Sequence, residues 1–408
     1  MPTQLVEIGF DLVLPTGPFF TLDDSVKGKL DNTSYTLAGF AYYDVTQYVT
    51  DIEVTRGKSD DLGTISSGEL VVTMNNRNRY FDPTYVNSPF YGQIIPKRQV
   101  RYWANGVQQY AGVIDDWNLE YTPDGDAKAT FVASDGFVYL NNQTLGAGTA
   151  TAQLAGARIN AILDDQYVQW PSADRSINTG TTTLGANVVV DGQNALAYLQ
   201  TVELSELGLF FISKSGVATF YDRLHTPNTS NIVKFSDDGS GIGYQNLLIA
   251  YGSENLINEV DATSVITNVQ TSGINASSQA DYGIFNATFS DLLLSTDAQV
   301  QTLVTTILAK YSQPVYRFTE VQVRLNDLSL ANQNKVLGLE IGDFVQVVFT
   351  PSNTPPPINK YAQVIRANHA VDITGEHIVT LGLNTLNLTY WVWDDAVFGR
   401  LDFNSYFD

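Results

Sequence analysis

Hydrophobic and polar residues alternate along the first third of the chain, as in strands that bury one face. Leu70, Val72 and Met74 form the apolar set of one such strand, and Ile52 and Val54 belong to an earlier one. A period of two over these lengths predicts β-structure. Residues 99–134 continue the pattern, with tight hairpin turns predicted at Asn105-Gly106 and Asp124-Gly125.

A loop rich in asparagine, proline and aromatic residues interrupts these strands. Asn75 and the asparagines after it open the loop with side chains that imitate turn hydrogen bonds. Its prolines break any regular ladder, and its aromatic side chains supply enough apolar surface for packing. These residues are Pro83, Pro89, Pro96, Tyr80, Phe81, Tyr85, Phe90 and Tyr91. The pattern predicts an ordered loop that is held in place by its aromatic residues.

The pattern changes near residue 147, where small residues and glycines form a joint. Beyond it, helical spacing predicts one helix after a Thr151 cap and a second from Gln193 to Leu207, which Gly208 ends. A hairpin with its turn at Ser215-Gly216 follows the second helix. The residue pattern predicts a helix-and-hairpin unit in the middle of the chain.

A third unit begins near Phe235 and contains the clearest helix signal. Ser295 or Thr296 caps this helix, Asp297 favours the positive end of its dipole, and Pro314 stops it. Its predicted apolar face comprises Ala298, Leu303, Val304, Ile307, Leu308 and Tyr311. Alternating strands and a hairpin turn at Thr374-Gly375 complete the unit.

Composition narrows the possible classes of protein. The 408 residues are 44% hydrophobic and 12% aromatic, enough for two to four compact units. No apolar run has the length of a membrane span, and the first residues lack the layout of a secretion signal. The chain has no cysteine, which excludes disulfides and thiol catalysis.

The charge balance argues against a nucleic-acid-binding surface. The chain carries 43 acidic and 22 basic residues, for a formal net charge of -21. Surfaces that grip DNA neutralise phosphates with clustered lysine and arginine, whereas an acidic wall repels them. On composition alone the excess of acid is explained by a need for solubility, and it is also compatible with a conduit for DNA.

Two sets of residues along the chain form recognisable series. The first set is Arg56, Gly57, Gly68, Asn75, Phe81, Asp82, Pro83, Ser88, Pro89, Tyr91, Gly92, Pro96, Arg98, Val100, Arg101, Gly112, Asp115 and Trp117. The second set is Ile341, Gly342, Asp343, Val345, Val347, His369, Val371, Asp372, Val379, Leu381 and Leu383. Both sets resemble the minor tail proteins of siphophages, the baseplate hub or tail-associated proteins of actinobacterial phages in particular. The resemblance covers nearly all of residues 50–401.

The resemblance implies a mainly β protein with α+β modules and the phage tail hub fold. It implies two tube-like β-barrel domains at residues 1–147 and 246–390, an inserted helix-and-hairpin domain at 148–245, and a C-terminal tail at 391–408. It also implies a homotrimer that presents six similar barrels around a bore. The expected partners are the distal tail protein ring, the tape measure protein, and tail fibres or other minor tail proteins. DNA would meet the protein only in transit.

We expect no enzyme, metal site or cofactor. The three histidines are too scattered for metal ligation, although His369 and His377 are predicted to face each other across a hairpin. Paired acids such as Asp115-Asp116 are sequence neighbours that point to opposite faces of a strand, so they do not suit glycoside hydrolysis. Asp237-Asp238 lacks the spacing of a calcium loop and predicts a turn.

Three hypotheses about function remain. The preferred one is a structural virion protein, made in the host cytoplasm and located at the tail tip, where it joins the tail tube to the tip or fibres and lines the ejection channel. An adhesin for host glycans is the second, because aromatic residues are abundant, and a cell-wall hydrolase is the third. Trp391, Trp393 and Phe398 are candidate contacts to a neighbouring subunit.

Overall fold

The computed structural model describes residues 1–10, 41–59, 63–225 and 232–386. The strands of the first third are β1 (Gln4–Phe10), β2 (Ala41–Asp44), β3 (Val49–Gly57), β4 (Ser66–Asn75), β5 (Gln99–Ala104), β6 (Val107–Tyr121) and β7 (Ala127–Ser134). The middle strands are β8 (Thr144–Leu145), β9 (Gly148–Ala150), β10 (Gln153–Leu154), β11 (Arg175–Ile177), β12 (Thr183–Leu184), β13 (Asn187–Val189), β14 (Gln193–Asn194), β15 (Leu209–Ile212), β16 (Ala218–Tyr221) and β17 (Val233–Ser236).

The strands of the last part are β18 (Asn246–Ala250), β19 (Glu259–Ser264), β20 (Gln270–Ile274), β21 (Asn286–Leu292), β22 (Arg317–Arg324), β23 (Phe344–Phe349), β24 (Ile358–Val371) and β25 (His377–Leu386). The helices are α1 (Gly136–Asn142), α2 (Ala155–Leu163), α3 (Ala195–Glu206), α4 (Ala276–Tyr282), α5 (Asp297–Tyr311) and α6 (Leu330–Gly338). None of these described helices is long and apolar enough to cross a membrane.

One large sheet joins the first and last parts of the chain. Its hydrogen-bonded order is β18-β22-β25-β24-β3-β4-β7-β6-β5-β1-β2, with β23 on β24 and β17 on β23. The seam is the antiparallel pair β3 and β24, in which Ile52 faces Val371 and Gly57 faces Arg366. In the described strands no pairing closes this path, so the two barrels remain a prediction.

Three hydrophobic clusters support the fold. The first lies under the large sheet and combines residues from both of its halves, for example Leu70 and Val72 with Val321 and Leu381. The second lies in the middle of the chain around α2, α3 and the β15–β16 hairpin. The third packs α5 against the small sheet β20-β19-β21. The mainly β organisation with an α+β unit is confirmed, while the domain boundaries at 147 and 246 stay predictions.

The predicted helices are present, with corrections at their ends. α2 begins at Ala155, and its N-cap residue Leu154 makes no side-chain cap, so the expectation of a Thr151 cap is wrong. α3 ends at Glu206 because Leu207 adopts a left-handed conformation with φ 55°, one residue before Gly208. α5 has the predicted Thr296 cap, which Gln299 completes as a capping box.

Candidate functional site

The loop of residues 76–98 is built around stacked aromatic rings. Phe81 is fully buried and stacks on Phe90, with ring centroids 5.5 Å apart, and on Trp117 at 6.2 Å. Tyr48 meets Phe81 edge to face at 5.3 Å. These contacts tie the loop to β6 and to the turn before β3, as the sequence predicted for a packed loop.

Asp82 is the polar anchor of this loop. Its carboxylate accepts hydrogen bonds from the Thr84 backbone N–H and hydroxyl, from both Nε and Nη2 of Arg79, and from the Tyr121 hydroxyl at 3.0 Å. The hydrogen bonds from Thr84 and Arg79 hold the pKa of Asp82 well below its usual range. A carboxylate that is ionised and saturated in this way fixes the loop and has no capacity left for acid catalysis.

The other predicted loop residues have local roles. The Asn75 side chain accepts from the Arg77 backbone N–H at 3.0 Å, which is the predicted turn mimicry. Gly92 has φ 76° and occupies open space. Pro83, Pro89, Tyr91 and Pro96 are exposed.

A second group of predicted residues meets at a buried junction between three parts of the chain. The Arg56 guanidinium donates to the Ile212 carbonyl at 2.9 Å and to Glu340 Oε1 at 2.8 Å. The other oxygen of Glu340 accepts from the Lys214 backbone N–H at 2.8 Å. Glu340 therefore links β3 to the hairpin of the middle unit and to the loop that precedes β23.

Lys214 completes the junction by binding the end of α6. Its ammonium donates to the carbonyls of Leu337 and Gly338, each at 2.8 Å, and of Leu339 at 3.0 Å. A cation at a helix C-terminus satisfies carbonyls that lack partners within the helix. Burial lowers the pKa of Lys214, although Glu340 opposes that shift.

Four predicted residues shape the backbone at this junction. A Cβ atom on Gly57, whose φ is 108°, would lie 2.2 Å from the Ile365 carbonyl oxygen. Gly68 donates its N–H to Asp135 at 2.7 Å, and Gly342 has φ 93° beneath the Tyr221 ring. Asp343 accepts from the Glu340 N–H at 2.8 Å, and burial raises its pKa.

The structure thus divides the predicted residues into two groups. The loop group holds Asn75, Phe81, Asp82, Pro83, Pro89, Tyr91, Gly92 and Pro96, and the junction group holds Arg56, Gly57, Gly68, Gly342 and Asp343. Sequence reasoning missed Glu340, Lys214 and Asp135. Asp135 had a detectable signal, because it precedes a helix and its side chain accepts from the Phe137 N–H as an N-cap. Trp391, Trp393 and Phe398 lie outside the described residues.

The histidines form packing contacts. His369 Nδ1 and His377 Nε2 are 3.0 Å apart on the neighbouring strands β24 and β25, which confirms the predicted pairing. Burial lowers the pKa of His377 to about 4 and holds the pKa of His369 well below its usual range, so both are neutral near pH 7. His225 stacks on Tyr221 with centroids 3.8 Å apart. Across the ranges that the structure covers, no group of three histidine or acidic residues could hold a metal ion.

The other candidate groups also have structural partners. Asp237 accepts from the Thr350 N–H at 2.7 Å and Asp238 from the Ser240 N–H at 2.8 Å, as expected for a turn. Three indole N–H groups donate hydrogen bonds within the chain. Trp103 donates to the Glu7 carboxylate, Trp117 to the Ile95 carbonyl and Trp170 to the Asp174 carbonyl. These three tryptophans consequently contribute to packing.

Solved structures of tail proteins share this fold. The tail protein from Neisseria meningitidis MC58 has a TM-score of 0.60 at 9% identity, over 94% of this chain and 97% of that chain. The 43 kDa tail protein of prophage MuSo2 from Shewanella oneidensis has a TM-score of 0.59 at 11% identity, over 94% of this chain and 98% of that chain. The E. coli c3393 protein has a TM-score of 0.51 at 12% identity, over 84% of this chain and 74% of that chain. It is a component of the type VI secretion system with structural similarity to T4 bacteriophage tail proteins gp27 and gp5.

These identities establish the fold and no more. The sequence matches no protein-family model and no curated protein. The chain has the mainly β fold of hub-type phage tail proteins, as the resemblance implied.

Proposed function

We propose that this chain is a structural protein of a phage tail and acts as a baseplate hub. The observation that carries the proposal is the fold likeness to two tail proteins, which extends over 94% of this chain and nearly all of each of theirs. The Asp82 carboxylate is engaged in hydrogen bonds within its loop, and the histidines pack against neighbouring residues, both of which agree with a structural role.

The finer assignment is a minor tail protein at the tip of a siphophage tail. It rests on the sequence resemblance to actinobacterial phage proteins. In this assignment the chain is a homotrimer in the virion, where it joins the distal tail protein ring and tape measure protein to fibres or other minor tail proteins. A sheet that combines both ends of the chain supports it, because one subunit then offers two strand-built parts to a pseudo-sixfold ring.

The two groups of predicted residues have distinct roles in this proposal. The junction of Arg56, Glu340 and Lys214 holds the middle unit rigidly against the sheet, so that the subunit is placed in a ring as one body. The loop group sets a fixed surface beside that sheet. Trp391, Trp393 and Phe398 supply subunit contacts.

The charge of the chain suits a channel for DNA. Acidic side chains outnumber basic ones by 43 to 22, and a wall of this sign repels phosphate, so DNA passes without being retained. The role of the protein in ejection is therefore passive: it forms part of the path and holds no nucleic acid.

Electron cryomicroscopy of the virion tests the proposal. We expect three copies of the chain around the axis at the distal end of the tail, with the large sheets facing the bore. A single copy on the outside of the tail would contradict the hub. Binding of the purified chain to a glycan array would instead support an adhesin, and clearing of a cell-wall zymogram would support a hydrolase.

A further inference from the structure

The loop of residues 76–98 presents an exposed surface that combines apolar and basic side chains. Val86, Tyr91 and Ile95 are 65%, 52% and 45% exposed, although the same loop buries Phe81 and Phe90. Exposed apolar residues grouped within one ordered loop are a feature of interaction sites. Together with Arg77, Arg79 and Lys97 they are called the loop surface below.

The charge of the loop surface is opposite to that of the protein. Residues 76–98 contain four basic residues and one acidic residue, in a chain whose net charge is -21. The side chains of Arg77, Arg79 and Lys97 are each more than half exposed. An acidic partner is therefore favoured over a basic one.

The ion pairs of Arg77 and Lys97 with acidic residues outside the loop leave these two cations usable. Arg77 pairs with Asp126 and Lys97 with Asp115, and such exposed pairs contribute only about 0 to 1 kcal/mol, so they exchange partners at low cost. An open depression lies between the loop and the turn after β6, lined by Arg77, Arg79, Tyr121, Asp82 and Asp126 among others. Asp82 holds the Arg79 guanidinium, so the depression offers the guanidinium of Arg77 beside the Tyr121 ring.

We propose that the C-terminal segment of this chain, residues 391–408, docks on the loop surface. The segment carries the aromatic residues Trp391, Trp393 and Phe398. It also carries four aspartates, two of them directly after Trp393, and a single basic residue, Arg400. Aromatic side chains match the exposed Val86, Tyr91 and Ile95, and the aspartates match the basic rim.

The pairing of residue types supports this occupant. Tryptophan, tyrosine and arginine are the residues most enriched at the energetic centres of interfaces, and an arginine over an indole ring gains a cation–π attraction. The loop surface supplies arginine and tyrosine, and the segment supplies tryptophan. Few other parts of the chain combine aromatic residues and acid so densely.

The segment is long enough to reach the loop. Strand β25 ends at Leu386, and its opposite end lies beside Val371, which pairs with Ile52 near the start of β3. Val49 of β3 pairs with Met74, just before the loop. A ten-residue strand spans about 33 Å, whereas the 22 residues after Leu386 span up to about 70 Å when extended.

The absence of cysteine from the chain permits a direct test by disulfide cross-linking of the full-length protein. The double variant Tyr91→Cys with Phe398→Cys is compared with Val188→Cys with Phe398→Cys. Val188 is 71% exposed on β13, so it is at least as accessible as Tyr91. Docking should make the Tyr91 pair oxidise at least about tenfold faster than the Val188 pair, because docking raises the local concentration of the two thiols.

A charge exchange tests the electrostatic part of the proposal. Arg77→Glu in the Tyr91–Phe398 cysteine background should slow oxidation several-fold, and adding Asp394→Arg with Asp395→Arg should restore the rate. Unchanged thermal midpoints show that the variants remain folded. Equal rates at Tyr91 and Val188, or a rate that Arg77→Glu does not alter, would overturn the proposal.

Mixing chains with one cysteine each distinguishes docking within a chain from docking between copies. A cross-linked dimer between Tyr91→Cys and Phe398→Cys chains indicates a neighbouring copy, and a link found only in the double variant indicates the same copy. Both outcomes support the docking site. The test uses purified protein alone, so its result is independent of the place of the chain in a virion.

Discussion

Gly57 and Gly92 both have positive φ, but only Gly57 is enclosed by backbone. A Cβ on Gly57 would lie 2.2 Å from the Ile365 carbonyl oxygen, whereas Gly92 has no atom within 4 Å of that position. We expect Gly57→Ala to lower the free energy of unfolding by about 3 kcal/mol or more, through clash as well as strain. Gly92→Ala, the matched control, should cost about 1 kcal/mol. Urea unfolding measures both, and equal losses would contradict the enclosure of Gly57.

Glu203 makes stability depend on pH. It lies on α3, and burial raises its pKa to about 7, although the charge of Lys58 and a hydrogen bond from the Phe210 backbone oppose the shift. Because the pKa of the folded state exceeds the unfolded value of 4.5, the folded chain binds more protons between these two pH values. The contribution of Glu203 is therefore present below pH 4.5 and is lost as pH rises through 7.

Glu203→Gln isolates this effect from the buried histidines, whose lowered pKa values act in the opposite direction. Relative to the variant, the natural chain should lose about 2 to 3 kcal/mol of unfolding free energy between pH 5 and pH 8. Chemical denaturation at the two pH values measures the difference. A difference that does not change with pH would show that Glu203 is solvated.

At the scale of elements, the Arg56–Glu340 pair determines how β3, the middle hairpin and the end of α6 fit together. The side chains are 5% and 15% exposed, so removing Arg56 leaves the buried Glu340 carboxylate without its hydrogen-bonded guanidinium. Arg56→Met should cost about 3 to 5 kcal/mol. Arg77→Met, which breaks the exposed pair with Asp126, should cost about 0 to 1 kcal/mol. Urea unfolding measures both variants, and similar losses of unfolding free energy for Arg56→Met and Arg77→Met would show that the junction is hydrated.

Helix α5 gives a test of packing on the small sheet. Leu303 and Ile307 are 2% and 1% exposed in the cluster with β19 and β21. Truncation of either to alanine should cost about 2 to 5 kcal/mol, since each leaves a cavity. Thr306→Ala on the exposed face of the helix is the control and should change stability by less than about 0.5 kcal/mol. Unchanged thermal midpoints for the two core variants would mean that α5 is not packed.

Local signals account for the elements that the sequence predicted. The cap and apolar stripe of α5 lie within one segment, and the Asn105-Gly106 turn has the expected φ values of 50° and 74°. The sequence did not predict helix α6, because only two of its buried residues, Val336 and Leu337, are apolar and the residues around them are polar. The pairing of β3 with β24 joins residues about 300 positions apart, and no local pattern specifies such a partner.

The sequence predicted the residues of the site in part, as it did the elements of the fold. The resemblance identified Arg56, Gly57 and Gly342 as constrained positions, and the structure gives each a physical reason. It did not identify Glu340 as the partner of Arg56, because the two are separated by 284 positions and the chain offers 43 acidic residues. Partners of this kind follow from the topology of the sheet and not from sequence spacing.

At the scale of the whole molecule, the seam between β3 and β24 makes one body from the two ends of the chain. Its core combines side chains from both halves in one hydrophobic cluster. A rigid subunit of this kind keeps a constant angle between its neighbours, and a ring closes only when that angle is constant. In the proposed ring, assembly therefore depends on the same contacts that hold the subunit together.

The trimer is the prediction that belongs to this scale. We expect light scattering of the purified chain to give about three times the 44.8 kDa of one copy. Because association stabilises only folded chains, the thermal midpoint should rise with protein concentration, whereas a monomer shows no such dependence. Arg56→Met should lower the trimer fraction at fixed concentration, since a loosened junction no longer fixes the angle between neighbours. A mass of one copy with a concentration-independent midpoint would contradict the trimer and leave the fold unaffected.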